Sequence, residues 1–488
     1  MNKLTTFIIE LIKMSFEDVA LICGNTKLKY KEMLGRAIYL AFFLITISKK
    51  NRVQLRIAIV ANNSIEWVIV FLAAIFSDST LILISTNLNK TKVKHILNDS
   101  NTNLIFTDQQ YLLEEEDYNE TVCNIASINT LGGSKSNDTI TITGLPILLK
   151  GLEKSEKLWE INGKLITYTP RDLKRVEISY TEIVSLLSVL GDKNIFDGEF
   201  VAKEDFSTNY ILCLLLPLLS GITLNITKRT WYGKVIIIRS ELFNEWLNLV
   251  FTYNDFKWYH KIINIISFGL VGKWLVKRSF KQEFPDLKKL IILNSSLSYQ
   301  TEKMLKRIKF PYTITYGTTE TMGIATYSDP SEFKIGSVGK VIMFRNIISF
   351  AGKLHLVDRE MIPLHDIGYK DTEGHLFLTS REDEVIHTEQ DLNVSRDIEK
   401  IFTSVPIIEE CYLLNVHDRI YLLVNLDKER CETIGLETLS ETKDLLRAYL
   451  DKINKDILMP HERIHDVVIE HKKFSRDLRG NLIRNACN

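Results

Sequence analysis

Short apolar runs alternate with longer mixed segments from about residue 56 onward, and this alternation limits the fold more than any other feature. Arg56 to Ala61 reads as a strand, Ser64 to Ser77 as a helix with buried aromatic and aliphatic positions, and Thr80 to Ser85 as a second strand. Lys90 to Asn98 reads as a helix and Asn103 to Thr107 as a third strand. Strands separated by helices at this spacing predict an α/β fold with a mostly parallel sheet covered on both faces. The rhythm returns at Leu165 to Thr169, Ile222 to Ile226, Val235 to Ile238 and Leu290 to Leu293. Between about residues 108 and 160 the pattern is polar and irregular, which predicts loops and edge structure.

Past residue 333 the texture changes. Gly336, Gly339, Gly352, Gly368 and Gly374 punctuate short runs such as Lys353 to Val357 and His375 to Thr379, which predict an antiparallel, barrel-like part. From residue 382 a compact unit follows, with helices near Asp397 to Thr403 and Glu441 to Lys455 and strands at Cys411 to Val416, Ile420 to Asn425 and Val467 to Glu470. The expected organisation is therefore a large N-terminal domain over 1–381 and a small, mobile C-terminal α+β domain over 382–488. At 488 residues the chain exceeds what one hydrophobic core serves, in keeping with that division.

The charge balance is even, with 61 basic and 61 acidic residues, so nothing points to nucleic acid as a partner. The six cysteines are scattered without a CxxC pair or metal-ligand spacing, which fits a reducing cytoplasm. The opening MNKLTTFIIELIKM is interrupted by Glu10 and lacks a small-residue cleavage site, unlike a signal sequence. Phe206 to Thr227 carries no charge and has the length of a bilayer span. Its Asn209, Pro217, Ser220, Gly221 and Asn225 suit a buried helix, a turn and a strand better.

Tyr316-Gly317-Thr318-Thr319-Glu320 follows a strand at Tyr312 to Thr315. Such a string is often only a turn; its chemical sense would be a backbone bend close to a nucleotide, with hydroxyls for phosphate oxygens and Glu320 as a hard ligand for Mg²⁺. His365-Asp366 then precedes a hairpin over Gly368 to Phe377, and Ser380-Arg381-Glu382-Asp383 lies at the expected domain boundary. Near the C-terminus stands Arg479-Gly480-Asn481-Leu482-Ile483-Arg484.

In this order the pieces resemble the adenylate-forming superfamily of acyl-CoA synthetases, luciferases and peptide-synthetase adenylation domains. Lys27-Leu28-Lys29-Tyr30 joins the likeness at the N-terminal end, and Phe310-Pro311-Tyr312 with Gly336-Ser337-Val338-Gly339-Lys340 look most like the long-chain fatty-acid branch. The resemblance implies ATP or AMP and Mg²⁺ as cofactors and an acyl-adenylate as intermediate. It assigns Tyr316, Gly317 and Thr318 to the nucleotide, Thr319 and Glu320 to catalysis with Glu320 on Mg²⁺, Asp366 to the ribose hydroxyls, Arg381 beside it, and Asp383 to the hinge.

The chain also departs from that family. Its phosphate loop reads Tyr-Thr-Ser-Gly-Thr-Thr-Gly-x-Pro-Lys-Gly-Val; here Tyr168-Thr169 and Val176-Glu177-Ile178-Ser179 flank only Pro170-Arg171-Asp172-Leu173-Lys174-Arg175. The glycines that let backbone N–H groups turn toward β- and γ-phosphates are gone, although Arg171, Lys174 and Arg175 could attract an anion. The C-terminal lysine position holds Asn481, and Arg479 is no geometric substitute for an ammonium. The adenine loop reads Asn294-Ser295-Ser296-Leu297, and the pantetheine-side loop His387 to Leu392 carries Asp391 where the family has Gly, which puts CoA in doubt.

Two functions follow. The first is a catalytically degenerate acyl-CoA synthetase-like protein, a pseudoenzyme of fatty-acid metabolism that binds an acyl chain, a nucleotide or a protein. The second is an active ATP-dependent ligase joining a long-chain fatty acid to CoA or an acyl-carrier protein. Residues 257–284 mix Trp258, Tyr259, Phe268 and Trp274 with Lys257, Lys261, Lys273 and Arg278, which suits peripheral contact with a bilayer and equally suits a helix pair with a wet basic face.

Overall fold

The computed structural model describes residues 3–113, 121–127, 163–226, 234–243, 281–382, 385–387, 392–394 and 398–474, with gaps of one to four residues inside these stretches. The chain divides into two compact units, residues 1–346 with 370–377, and residues 347–369 with 378–488.

The first unit holds two sheets. One runs in the order Thr121–Asn124, Leu104–Thr107, Arg56–Val60, Thr80–Leu83, Lys164–Tyr168, Arg175–Ser179; all neighbours are parallel except the last pair, an antiparallel hairpin. The other runs Ser337–Val341, Thr326–Tyr327, Tyr312–Tyr316, Lys289–Leu293, Val235–Arg239, Phe200–Ala202, Leu224–Asn225, Val19–Cys23, Thr26–Lys29. Its interior is parallel and its two ends turn antiparallel. The central strands read as unbroken apolar runs, such as Ile236, Ile237, Ile238 and Leu290 to Leu293, because both of their faces are covered.

Helix Ile65–Phe76 is buried on every side. The Ser64 hydroxyl caps it by accepting from Trp67 N at 3.1 Å, and Trp67 stacks on Phe71 and meets Phe206 edge-on with centroids 5.3 and 5.4 Å away. A helix apolar all round belongs in a core, which explains the absence of a polar face in its sequence. The longer helix Tyr30–Asn51 begins where Lys29 N–H donates to Glu32 at 2.9 Å and ends on Arg52 in the left-handed region at φ 53°. Its first residue, fully buried Tyr30, donates its hydroxyl to the carbonyls of Leu218 and Ile222 at 3.0 and 2.9 Å.

The uncharged stretch from Phe206 folds as a buried helix Phe206–Tyr210, a π-helical turn Ile211–Leu215 and a short helix Leu216–Leu219, before the strand Leu224–Asn225. Among the described residues no helix is long and apolar enough to cross a membrane. The N-terminal apolar stretch forms helix Lys3–Ile12, which buries Leu4, Ile8, Ile9 and Ile12 in the core of this unit. Within the region read as polar and irregular, Gln110–Leu113 is helical and Thr121–Asn124 is an edge strand.

In the second unit Lys353–Val357 and Met361–Lys370 form an antiparallel hairpin, and Asn346–Phe350 stands at a sheet edge. The expected barrel-like part is therefore antiparallel but open: an edge strand remains, and among the described residues no barrel closes. Further on, Ile408–Val416 pairs antiparallel with Arg419–Leu426, which pairs parallel with Ile464–Ile469. Helix Leu439–Asp456 covers this small sheet over a core that includes Phe402, Leu413, Leu422, Leu446, Leu450 and Val467. That is the α+β texture expected of the C-terminal part. Asp383 lies outside the described residues.

Candidate active site

Strand Tyr312–Tyr316 delivers the Tyr-Gly-Thr-Thr-Glu segment to the end of the parallel part of its sheet, where α/β proteins gather ligand sites. The chain then bends sharply. A Cβ on Gly317 would stand 2.3 Å from the carbonyl carbon of Gly323, so only glycine fits. Thr318 N–H donates to Thr321 Oγ1 at 2.7 Å, the Thr321 hydroxyl donates back to Thr318 O at 3.1 Å, and Gly323 N–H reaches the same carbonyl at 2.8 Å. Met322 and Gly323 both take positive φ, 59° and 81°, to close the loop. These bonds hold the turn from Thr318 to Gly323 and leave Thr319 and Glu320 half-buried at its tip. Among the described residues neither of these two side chains has a hydrogen-bond or ionic partner. A half-buried carboxylate with unspent oxygens suits a hard cation such as Mg²⁺. The hydroxyl of Thr318 is buried and unpartnered as well.

Segment 205–215 packs against this turn, and sequence reasoning did not assign it a role. The Asn209 side-chain oxygen lies 3.3 Å from where a Cβ on Gly323 would stand, and Asn209 has φ −131° in an otherwise helical stretch. The π-turn that follows moves its side chains out of ordinary α register, a feature frequent at functional sites. Ser207 Oγ and Tyr210 OH are buried without partners. The signal available in sequence was a single Asn in an uncharged apolar run. The segment is anchored by Glu204, which is nearly buried and pairs with Arg239 Nε at 2.9 Å, and by Asp205, which accepts from Ser85 Oγ at 2.8 Å.

Glu302 is a second residue that the sequence reading passed over. It is fully buried, accepts from Gly336 N at 2.8 Å and is also bonded by the backbone of Leu297, so it ties the end of the expected adenine loop to the glycine-rich segment. Burial pushes its carboxyl up to about 7, and its other oxygen is unpartnered. Asn294 to Ser296 lie outside the described residues.

Within the second unit the structure brings Asp366 and Arg381 together: Arg381 Nε lies 3.6 Å from Asp366 Oδ1, and Asp366 is 8 % exposed. Beside them His365, at φ 57°, contacts Glu382 at 2.8 Å, and Lys353 reaches Glu382 at 2.7 Å. The Lys353 hydrogen bond, supported by His365, holds Glu382 below the ordinary carboxylate range. Tyr316 to Glu320 belong to the first unit.

The segment that stands where a phosphate loop would be is closed on itself. Strands Lys164–Tyr168 and Arg175–Ser179 stay in register up to the pair Tyr168 and Arg175. Thr169 N–H donates to Lys174 O at 2.9 Å, and Lys174 N–H donates to the Thr169 hydroxyl at 2.7 Å, while that hydroxyl also contacts the Asp172 carboxylate. Leu173 supplies the left-handed residue at φ 52°. The N–H groups of Thr169 and Lys174 are thus spent inside the loop, and a carboxylate occupies its tip. Arg175, read from sequence as a cation free to attract an anion, instead pairs with Glu177 and donates to Asp99 O at 3.1 Å. Arg171, Arg479, Asn481 and Asp391 lie outside the described residues, as does nearly all of 257–284.

Comparison with known proteins agrees with this scaffold. Residues 12–170 match the AMP-binding enzyme family, a match that ends at Pro170, inside the closed loop. A 2-succinylbenzoate–CoA ligase from Lactococcus lactis is 22% identical over 418 residues, covering 80% of this chain and 85% of that protein. The Bacillus subtilis O-succinylbenzoate coenzyme A synthetase, solved with ATP and magnesium ion, superposes with a TM-score of 0.69 at 14% identity, over 98% of both chains. A benzoate CoA ligase from Burkholderia xenovorans LB400 superposes with a TM-score of 0.65 at 13% identity, over 99% of both chains. The fold is that of the adenylate-forming enzymes, a large sheet domain with a smaller C-terminal one. These relatives are named for aryl acids, so the likeness to the long-chain branch gives way to the broader superfamily.

Proposed function

We propose that this chain is a catalytically degenerate member of the adenylate-forming superfamily, which retains a binding site for a carboxylate ligand or a nucleoside monophosphate and does not activate carboxylates with ATP. The closed loop 169–174 carries the reading. Adenylation needs β- and γ-phosphates held by oriented N–H groups; here Thr169 and Lys174 spend theirs on each other, and the Asp172 carboxylate repels what remains. Asn481 removes the ammonium that the family places on the reacting carboxylate and α-phosphate. The residues that the resemblance assigns to Mg²⁺ and to the ribose are both present in the chain, Glu320 in the first unit and Asp366 in the second, with Arg381 set beside Asp366. Mg²⁺, when bound, would neutralise phosphate charge, and the protein's part is to place Glu320 and Thr319 at the loop tip. With Asp391 in the pantetheine-side loop, CoA is not an expected substrate.

The survival of Glu320 and Asp366 also favours a second reading, an active CoA ligase with rebuilt phosphate contacts. Pyrophosphate release with ATP, Mg²⁺ and a panel of arylcarboxylic and fatty acids separates the two. No release above a blank, together with measurable AMP binding, is the expected result. Turnover that persists in Asn481→Ala would overturn the degenerate reading.

A further inference from the structure

The hairpin turn that links Met361–Lys370 to His375–Arg381 gathers three side chains of metal-ligating type outside the site described above. Asp371 Oδ2, Glu373 Oε2 and His375 Nδ1 lie within 4.8 Å of one another. The turn itself is rigid. Asp371 Oδ1 accepts from the N–H groups of Glu373 and His375 at 3.0 and 2.9 Å, Asp371 N–H donates to His375 O at 3.0 Å, and Gly374 takes φ 87°. With Oδ1 so occupied, Oδ2 faces the other two groups.

His375 is 95 % buried, and its Nδ1 has no hydrogen-bond partner. Its other nitrogen, Nε2, lies 3.1 Å from the carbonyl oxygen of Glu332. A carbonyl oxygen only accepts, so Nε2 carries the proton, and in the neutral ring Nδ1 presents a bare lone pair. That lone pair points between two carboxylates, at 3.6 Å from Asp371 Oδ2 and 3.7 Å from Glu373 Oε2. Three acceptors within 4.8 Å of one another have nothing to offer each other and favour a cation among them. A backbone carbonyl fixing the tautomer of an otherwise free imidazole is also the usual support for a histidine metal ligand. Two ligands about 2.1 Å from one tetrahedral ion stand about 3.4 Å apart, close to the separations here.

At present a lysine supplies part of the positive charge. Lys334 Nζ lies 2.6 Å from Asp371 Oδ2 and 3.7 Å from Glu373 Oε2, and the Lys334 hydrogen bond draws the Asp371 carboxyl down to about 2. Lys334 is 43 % exposed, so it can leave toward water, whereas His375 cannot. With Lys334 in place, Nδ1 is still without a hydrogen-bond partner.

We propose that Asp371, Glu373 and His375 form a site for a divalent transition cation of the Zn²⁺ type, with Lys334 as the displaceable counter-ion that fills it when the metal is absent. One imidazole nitrogen and two carboxylates are a donor set for Zn²⁺ and not for Mg²⁺, which demands oxygen. The fourth position is open to water. The site joins the hairpin turn to the segment 332–340 and does not depend on whether the chain is an active ligase.

Isothermal titration of the chelator-treated full chain with Zn²⁺, followed by elemental analysis after dialysis, tests it. The wild type is expected to bind one more Zn²⁺ per chain than either His375→Phe or Glu373→Ala; the second variant changes only an exposed turn residue and so guards against misfolding. Lys334→Met is expected to tighten Zn²⁺ by about tenfold, since it removes a competing charge-assisted hydrogen bond. Mg²⁺ is expected to give no heat at this site. Equal Zn²⁺ stoichiometry in the wild type and Glu373→Ala, or weaker binding in Lys334→Met, would overturn the assignment.

Discussion

Gly317 and Gly323 are so closely apposed that a Cβ on Gly317 would lie 2.3 Å from the Gly323 carbonyl carbon and 2.4 Å from Ile324 N. The neighbours are backbone, not a flexible side chain, so the loop must open to admit a methyl group. Gly317→Ala is expected to destabilise the chain by about 2–4 kcal/mol and to abolish AMP binding. Thermal unfolding and calorimetry with AMP would show both losses; an unchanged melting temperature would mean that the turn is looser than this contact requires.

The closed hairpin leads to a prediction about repair. Asn481→Lys alone should leave pyrophosphate release undetectable, because lysine and phosphate loop serve one transition state. The same change with a glycine-rich loop grafted between Thr169 and Val176 should recover measurable release. Failure of the double change, with AMP binding intact, would locate the defect elsewhere.

Tyr30 is a purely structural test. Its hydroxyl donates toward two carbonyls that close the bend between Leu219 and Leu224. Tyr30→Phe keeps the ring and leaves those carbonyls without that donor, so a loss of about 1–3 kcal/mol in chemical denaturation is expected. A change below a few tenths would show that water replaces the hydroxyl.

Glu302 makes stability depend on pH. Its carboxyl is raised from 4.5 to about 7 in the folded chain, so between those values the folded state holds a proton that the unfolded state releases. Its contribution is complete below pH 4.5 and is lost as pH rises toward 7, with a slope approaching about 1.4 kcal/mol per pH unit. Glu302→Gln should remove that slope and stabilise the chain more at pH 8 than at pH 5. Parallel stability curves for the two proteins would refute the assignment.

Much of this architecture was legible in the residues. Arg56–Val60, Tyr312–Tyr316 and Lys353–Val357 sit where periodicity places them, since β-branched runs bounded by Gly, Asn and Ser have few other solutions. Phe206–Leu219 was ambiguous because apolar composition cannot distinguish a bilayer from a protein core; the buried neighbours Trp67 and Phe71 decide it. Asn209 and Glu302 were illegible for another reason: their roles arise from contacts with residues 114 and 34 positions away in sequence. The Asp371–Glu373–His375 group escaped a search framed on cysteine and histidine spacing, because two of its members are carboxylates in an ordinary-looking turn. Arg175 misled in the opposite sense, since its charge was visible but its commitment to Glu177 was not.

The pairing of Lys164–Tyr168 with Arg175–Ser179 bears on how such a chain can change over generations. The ladder from Lys164↔Ser179 to Tyr168↔Arg175 is unbroken, and pairing fixed by the strands tolerates connections of different length. On the reading proposed above, a connection shorter than the family's would cost the sheet little while it removed the triphosphate grip. Selection for a stable scaffold alone would not resist such a shortening, so chemistry and architecture can part company without an unstable intermediate between them.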